Sequence, residues 1–183
     1  MPRLFAGLEI PTDVGLHLSE LRGGLRNARW IDVENYHITL RFIGDIDEPT
    51  AYEVVSRLSQ VNREPVPVAF DGLGSFGSKK PHSVFVRVHP SRELIELQTD
   101  IERTLQRIGL KAEGRKFSPH VTIARCKRAA PRDVADWLAV RGYFPVEPFL
   151  ATRFVLYSSK ASSGGGPYLI EEEFPLLRQA KSA

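Results

Sequence analysis

Most of what this chain lacks narrows its chemistry. It has a single cysteine, Cys126, so no disulfide can form within it, and a reducing cytosol is the expected compartment. No apolar run approaches the ~20 residues that a membrane-spanning helix needs. The opening segment is interrupted by Glu9, too early for a secretory signal, and reads as a first strand, Arg3–Ile10. No His-x-x-x-His, Cys-x-x-Cys or carboxylate cluster accompanies His37 or His120, so a metal framework is not expected there. Gly72-Leu73-Gly74-Ser75-Phe76-Gly77 has the spacing of a dinucleotide-binding turn. Ser78-Lys79-Lys80-Pro81 follows it, where a helix N-terminus is needed to hold a pyrophosphate. Gly164-Gly165-Gly166-Pro167 lacks the Gly-Lys-Ser/Thr ending of a phosphate-binding loop.

What is present is a motif written twice. His37-Ile38-Thr39-Leu40 and His120-Val121-Thr122-Ile123 both read His, apolar, Thr, apolar. On a strand, alternate side chains share a face. His37 with Thr39, and His120 with Thr122, would then face outward while the four apolar residues enter a core. Either motif alone is equally consistent with an ordinary half-buried strand. Five His and 42% apolar residues make the pair hard to produce by coincidence.

The surroundings of the motifs also repeat. Each half of the chain reads helix, motif strand, helix, strand, strand. Helices are expected from Thr12 (Val14, Leu18, Leu21, Leu25), after Pro49 (Ala51, Val54, Val55, Leu58, Val61), from Ser91 (Leu94, Leu97, Ile101, Leu105, Ile108) and after Pro131 (Val134, Ala135, Leu138). Strands are expected at Arg29–Asp32, His37–Ile43, Val66–Phe70, Ser83–Val88, His120–Cys126, Phe149–Ser158 and Tyr168–Phe174, with a flexible loop over Ser159–Pro167. Such a duplication predicts an α+β fold of two similar lobes, roughly residues 1–90 and 91–183 by the repeat and open to exchange of strands between them, with antiparallel sheets, outer helices and a cleft between the lobes. At 183 residues the whole is one domain with a core large enough to need no staples.

Charge points to the ligand. The net charge is only +3, yet Glu113–Arg128 holds five basic residues and one acid around His120. That asymmetry suits an anionic substrate. Splitting a phosphodiester without metal requires a base for the attacking water, an acid for the leaving oxygen, and donors for the phosphoryl oxygens. Two His and two Thr supply these, and local reading leaves open which His gives the proton. Arg41 shares the His37 face by strict alternation. Arg125 falls opposite His120 and reaches the phosphate only if the strand bulges. Trp30, Tyr36 and Phe42 are candidates for stacking on a base. Cys126 reads as a small half-buried strand residue, and His17, His82 and His89 as surface residues.

The flanks carry a resemblance. Trp30–Gly44, Phe117–Arg125, and the ending Leu156-Tyr157-Ser158 with Gly166-Pro167-Tyr168 are similar to the 2H phosphoesterase superfamily, and within it to the RNA 2',3'-cyclic phosphodiesterases, also called 2'-5' RNA ligases. Asp32-Val33 departs from the proline-containing turn expected there. The resemblance implies hydrolysis of RNA 2',3'-cyclic phosphate ends to a 2'-phosphomonoester, with no metal or cofactor and with tRNA fragments, oligonucleotides or small cyclic nucleotides as partners of a monomer. It implies His37 as proton donor, His120 as proton acceptor, Thr39 and Thr122 on the phosphate, and an Arg after the second motif, Arg125. Ligation at the same site, or RNA binding without catalysis, are the rival readings.

Overall fold

The computed structural model describes residues 3–160 and 164–178. In chain order the elements are β1 (Arg3–Glu9), α1 (Thr12–Ser19), β2 (Ala28–Trp30), a 3-10 turn (Val33–Asn35), β3 (His37–Gly44), α2 (Glu48–Leu58), β4 (Val66–Val68), β5 (Phe70–Phe76), β6 (Ser83–Val88), α3 (Arg92–Arg107), β7 (His120–Cys126), α4 (Pro131–Val140), β8 (Phe149–Ala151), β9 (Arg153–Ser159) and β10 (Tyr168–Pro175).

Two four-stranded antiparallel sheets form, β10-β9-β1-β3 and β2-β7-β6-β5, with a small β4-β8 ribbon between other elements. The α+β, two-lobed expectation therefore holds. Each large sheet draws strands from both halves of the chain, and the motif strands β3 and β7 contact one another. Ile38, Leu40, Val121 and Ile123 are all buried in the same core cluster. That shared core fixes the two motif strands relative to each other, because sliding either one would expose its anchors.

The helices start where local chemistry directs. Ser91 Oγ caps α3 by accepting from the Leu94 N–H at 3.2 Å. Asp47 Oδ1, not foreseen as a cap, does the same for α2 from Thr50 N–H at 2.8 Å, with Pro49 in the first turn. Four residues of α3, Leu94, Leu97, Ile101 and Leu105, are fully buried. Three expectations shift. α1 ends at Ser19, so Leu21 and Leu25 are buried from the loop beyond it. In α4 the buried pair is Val134 and Trp137, one turn apart, while Ala135 is exposed. The strands expected at Val66–Phe70 and Phe149–Ser158 each break in two, at Ala69 and Thr152, where the chain passes from the ribbon to a large sheet. The middle of the glycine-rich loop, 161–163, lies outside the described residues.

Candidate active site

The two half-sites are built alike. His37 Nδ1 donates to the Asn35 carbonyl at 2.9 Å, and His120 Nδ1 donates to the Ser118 carbonyl at 2.7 Å. In each, a backbone carbonyl two residues upstream holds the proton on Nδ1 and leaves Nε2 for chemistry. His37 Nε2 lies 3.0 Å from Thr39 Oγ1. While the ring is neutral, the Thr39 hydroxyl donates to it. Once Nε2 is protonated, it donates to Thr39, whose hydroxyl proton is then free for a phosphoryl oxygen.

Both strands bulge at the apolar residue after Thr. The β1–β3 register steps from Arg41 to Thr39 across one β1 residue, leaving Leu40 extra. The β6–β7 register steps from Ala124 to Thr122 in the same way, leaving Ile123 extra. The bulge turns every later side chain to the other face. Arg125 thereby joins the His120 face and lines the cleft, meeting the condition set by its sequence position.

Arg41 is corrected by the same event. It points inward, 6% exposed, and donates to Glu102 and to the carbonyls of Phe42 and Lys111. Ala124 occupies the equivalent place in the second motif. Phe42 takes the place that Arg125 takes opposite and is exposed in the cleft. Of the three stacking candidates only Phe42 is so placed: Tyr36 is buried and Trp30 packs on Trp137 at 5.9 Å between ring centroids.

The cleft beside His37 has a volume of about 190 Å³. It is bounded by Thr39, Phe42, Arg125, Arg3, Lys160 and Tyr168 among others. Arg3 and Lys160 join Arg125 as cations facing it, although sequence reading singled out neither. Among the described residues no group of three or more His, Cys, Asp and Glu comes together. Cys126 is buried, and burial raises its thiol pKa. His82 and His89 are exposed, and half-buried His17 bonds to the Pro145 carbonyl.

Each imidazole stands against an aromatic wall that sequence reading also missed. Phe5, Tyr157 and Tyr168 lie 5.0, 5.5 and 4.9 Å from the His37 ring. Phe76 and Phe85 lie 4.8 and 5.0 Å from His120. A glycine on the neighbouring strand makes room for each wall. A Cβ on Gly7 would come within 2.8 Å of the Ile38 carbonyl and 3.1 Å of the Tyr157 ring, and one on Gly74 within 2.7 Å of Phe85. The glycine run that mimicked a nucleotide motif is thus strand β5, with Gly74 cleared for the ring beside His120. Interior strand glycines that admit a close neighbour were the available signal.

These walls set the protonation states. Burial pushes the His37 pKa down from 6.5 to about 4, and the positive charges of His120 and Arg125 add to that, against the Asn35 carbonyl, which raises it. His120 is lowered for the same leading reason, burial, again with a contribution from Arg125. Both rings are therefore neutral at pH 7 in the free protein.

Asn35 links wall to ring. Its carbonyl orients His37, and its Oδ1 accepts from the Tyr168 N–H at 3.2 Å. Asn35→Ala keeps the carbonyl but releases Tyr168. Water then reaches His37, and its pKa rises from about 4 toward 6.5. Histidine NMR titration reads this directly, and an unmoved His37 titration would show that Tyr168 is held by other means.

The sequence model of the 2'-5' RNA ligase superfamily matches residues 11–162. The chain is 41% identical over 118 residues to the RNA 2',3'-cyclic phosphodiesterase of Aeropyrum pernix, covering 61% of this chain and 67% of that one. It is 32% identical over 156 residues to the enzyme of the same name from Aquifex aeolicus, covering 81% and 82%. Among solved structures, a Thermus thermophilus protein aligns with a TM-score of 0.81 at 21% identity over 95% of this chain and 97% of that one. E. coli LigT in complex with 3'-AMP aligns at 0.77 and 20% identity over 97% and 100%. At that identity the two structures show a shared fold. The family match spans both half-sites, His37 to Leu40 and His120 to Ile123, and the chain belongs to the 2'-5' RNA ligase superfamily.

Proposed function

We propose that the protein hydrolyses RNA ends bearing a 2',3'-cyclic phosphate to the 2'-phosphomonoester, without a metal, through His37 and His120. The observation that carries this reading is the pair of imidazoles, each with Nδ1 locked by a backbone carbonyl and Nε2 left off the backbone, in His37 against the Thr39 hydroxyl, flanking Arg125 on strands that touch. The relatives named for this activity, alike over much of the chain, support it.

In the reaction the phosphate sits against Arg125, Thr39 and Thr122. His120 Nε2 takes a proton from water as the water oxygen bonds to phosphorus. The bond from phosphorus to the ribose 3'-oxygen breaks, and His37 Nε2–H protonates that oxygen. The cycle ends with His120 protonated and His37 neutral, and solvent exchange resets both. The anionic diester supplies what the free cleft withholds. Its negative charge opposes the desolvation that holds both imidazoles low, so His37 acquires its proton as substrate arrives. Phe42 offers a face on which the terminal base stacks. The expected setting is a monomer in the cytosol, acting on tRNA fragments, oligonucleotides or small cyclic nucleotides.

Turnover of a cyclic-ended oligomer in EDTA tests the reading, and loss of turnover there would overturn the metal-free scheme. Supplying tRNA halves measures the rival ligation at the same site, and water at ~55 M favours hydrolysis in an open cleft.

The pH profile has a definite sign. The diester itself does not titrate near neutrality, so kcat/KM reports the free imidazoles. It falls on the acid side as the base is protonated and on the alkaline side as the acid is lost, and both flanks lie below pH 6.5. In the complex the phosphate raises both pKa values, so the kcat profile lies at higher pH. Superimposed profiles would contradict the coupling of substrate charge to His37.

A further inference from the structure

A second cationic site lies between α2 and α3, in a groove of about 390 Å³ that shares no lining residue with the catalytic cleft. Arg57 enters it from the last turn of α2, and Arg103 and Arg107 enter from α3. All three are exposed, and none makes an ion pair or side-chain hydrogen bond among the described residues. The one acid in the lining, Asp100, is already bonded to Arg63, which also holds Glu96; Arg92 binds Glu96 as well. Acids thus neutralise the neighbouring cations and leave these three uncompensated.

Arg103 and Arg107 stand one helical turn apart, a like-charge spacing that costs a helix a few tenths of a kcal/mol. The α2 and α3 dipoles favour Arg57 and Arg107 at the helix ends, but Arg103 lies a turn farther in. Thr104, Gln60 and Asn62 add neutral hydrogen-bond donors, and Val61 and Ile108 complete the lining. Guanidinium, amide and hydroxyl groups around an open trough are a phosphate-binding set. The single-turn spacing is comparable to that of neighbouring phosphates on one polynucleotide strand.

We propose that this groove binds backbone phosphates of the RNA body, away from its cyclic end. The inference rests on RNA being the substrate, and the two readings fail separately in one experiment. Wild type and R103E/R107E are compared on a cyclic mononucleotide and on a long cyclic-ended oligomer, at about 50 and 200 mM salt.

The expected result is an oligomer KM raised about 10-fold in the variant at low salt, with its salt slope reduced by about 1.4 for two lost contacts to a single strand. The oligomer kcat and both mononucleotide constants stay unchanged. R103Q/R107Q, which removes charge without reversing it, shows the same trend at smaller size.

An unchanged oligomer KM overturns the proposal, as does an equal rise on the mononucleotide. Binding of inorganic tripolyphosphate that the variant loses, beside an unchanged oligomer KM, would assign the groove to free phosphates instead. If wild type turns over neither substrate, the catalytic reading fails. Oligomer binding by anisotropy then still decides the groove.

Discussion

His37→Ala and His120→Ala each lower kcat by about 10²–10⁴-fold on a cyclic-ended substrate, the usual worth of a positioned general acid or base. KM is expected to change far less, because on the proposed scheme Arg125, Thr39 and Thr122 still hold the phosphate. The double variant is little worse than either single one, since acid and base act in a single displacement. Steady-state kinetics on all three variants checks this. Two single variants with wild-type rates would remove the imidazoles from the chemistry. A double variant whose losses multiply would show that the two rings act in separate steps.

Arg41 and Arg125 separate stability from turnover. Arg41→Ala leaves Glu102 and two backbone carbonyls inside the protein without their cationic donor. Glu102 is itself buried enough to be pushed up. The bonds it accepts from Arg41, Gln106 and the Glu113 N–H more than offset this and hold it below the ordinary carboxylate range. Breaking one partner of such a buried pair costs about 3–5 kcal/mol, or about 10 °C of melting temperature for a chain this size. The surviving folded fraction keeps its kcat.

Arg125→Ala does the reverse. It is exposed, so melting stays near wild type, while kcat/KM falls about 10²-fold as a phosphate donor is lost. Its positive charge also depresses both imidazoles, so its removal moves both flanks of kcat/KM to higher pH. Calorimetry and kinetics on the two variants decide. Loss of turnover in Arg41→Ala at wild-type melting temperature would place Arg41 in the cleft after all.

That contrast also marks how far the sequence could be read. The tetrads were legible because strand alternation is local: Ile38 and Val121 anchor, His and Thr face out, and two residues decide each. The bulges at Leu40 and Ile123 were not, because an extra residue is defined only against a partner strand, β1 or β6, from elsewhere in the chain. Alternation carried past them assigns Arg41 to the cleft and Arg125 away from it, the opposite of what is found. The aromatic walls were hidden for the same reason. Phe5, Tyr157 and Tyr168 reach His37 from three strands spread over the chain, and only Gly7 and Gly74 betray their closeness. Element order and most of the core stripes were readable from spacing. The sheet changes at Ala69 and Thr152 were not, since each run stays extended through the break.

The depressed imidazoles give the site a resting state in which neither ring is charged. On the proposed scheme selectivity follows from that state, because a neutral ligand would leave His37 without the proton that the scheme has it donate. A ligand that brings negative charge beside Arg125 would, on that scheme, restore the acid.

The most direct measurement is the fate of phosphorus in a defined RNA oligomer ending in a 2',3'-cyclic phosphate, followed by ³¹P NMR in the presence of EDTA. The cyclic resonance is expected to convert to a 2'-phosphomonoester with wild-type protein and to persist with His120→Ala. A 3'-phosphomonoester, or a cyclic end that survives wild-type protein, would contradict a water activated by His120 and a 3'-oxygen protonated by His37.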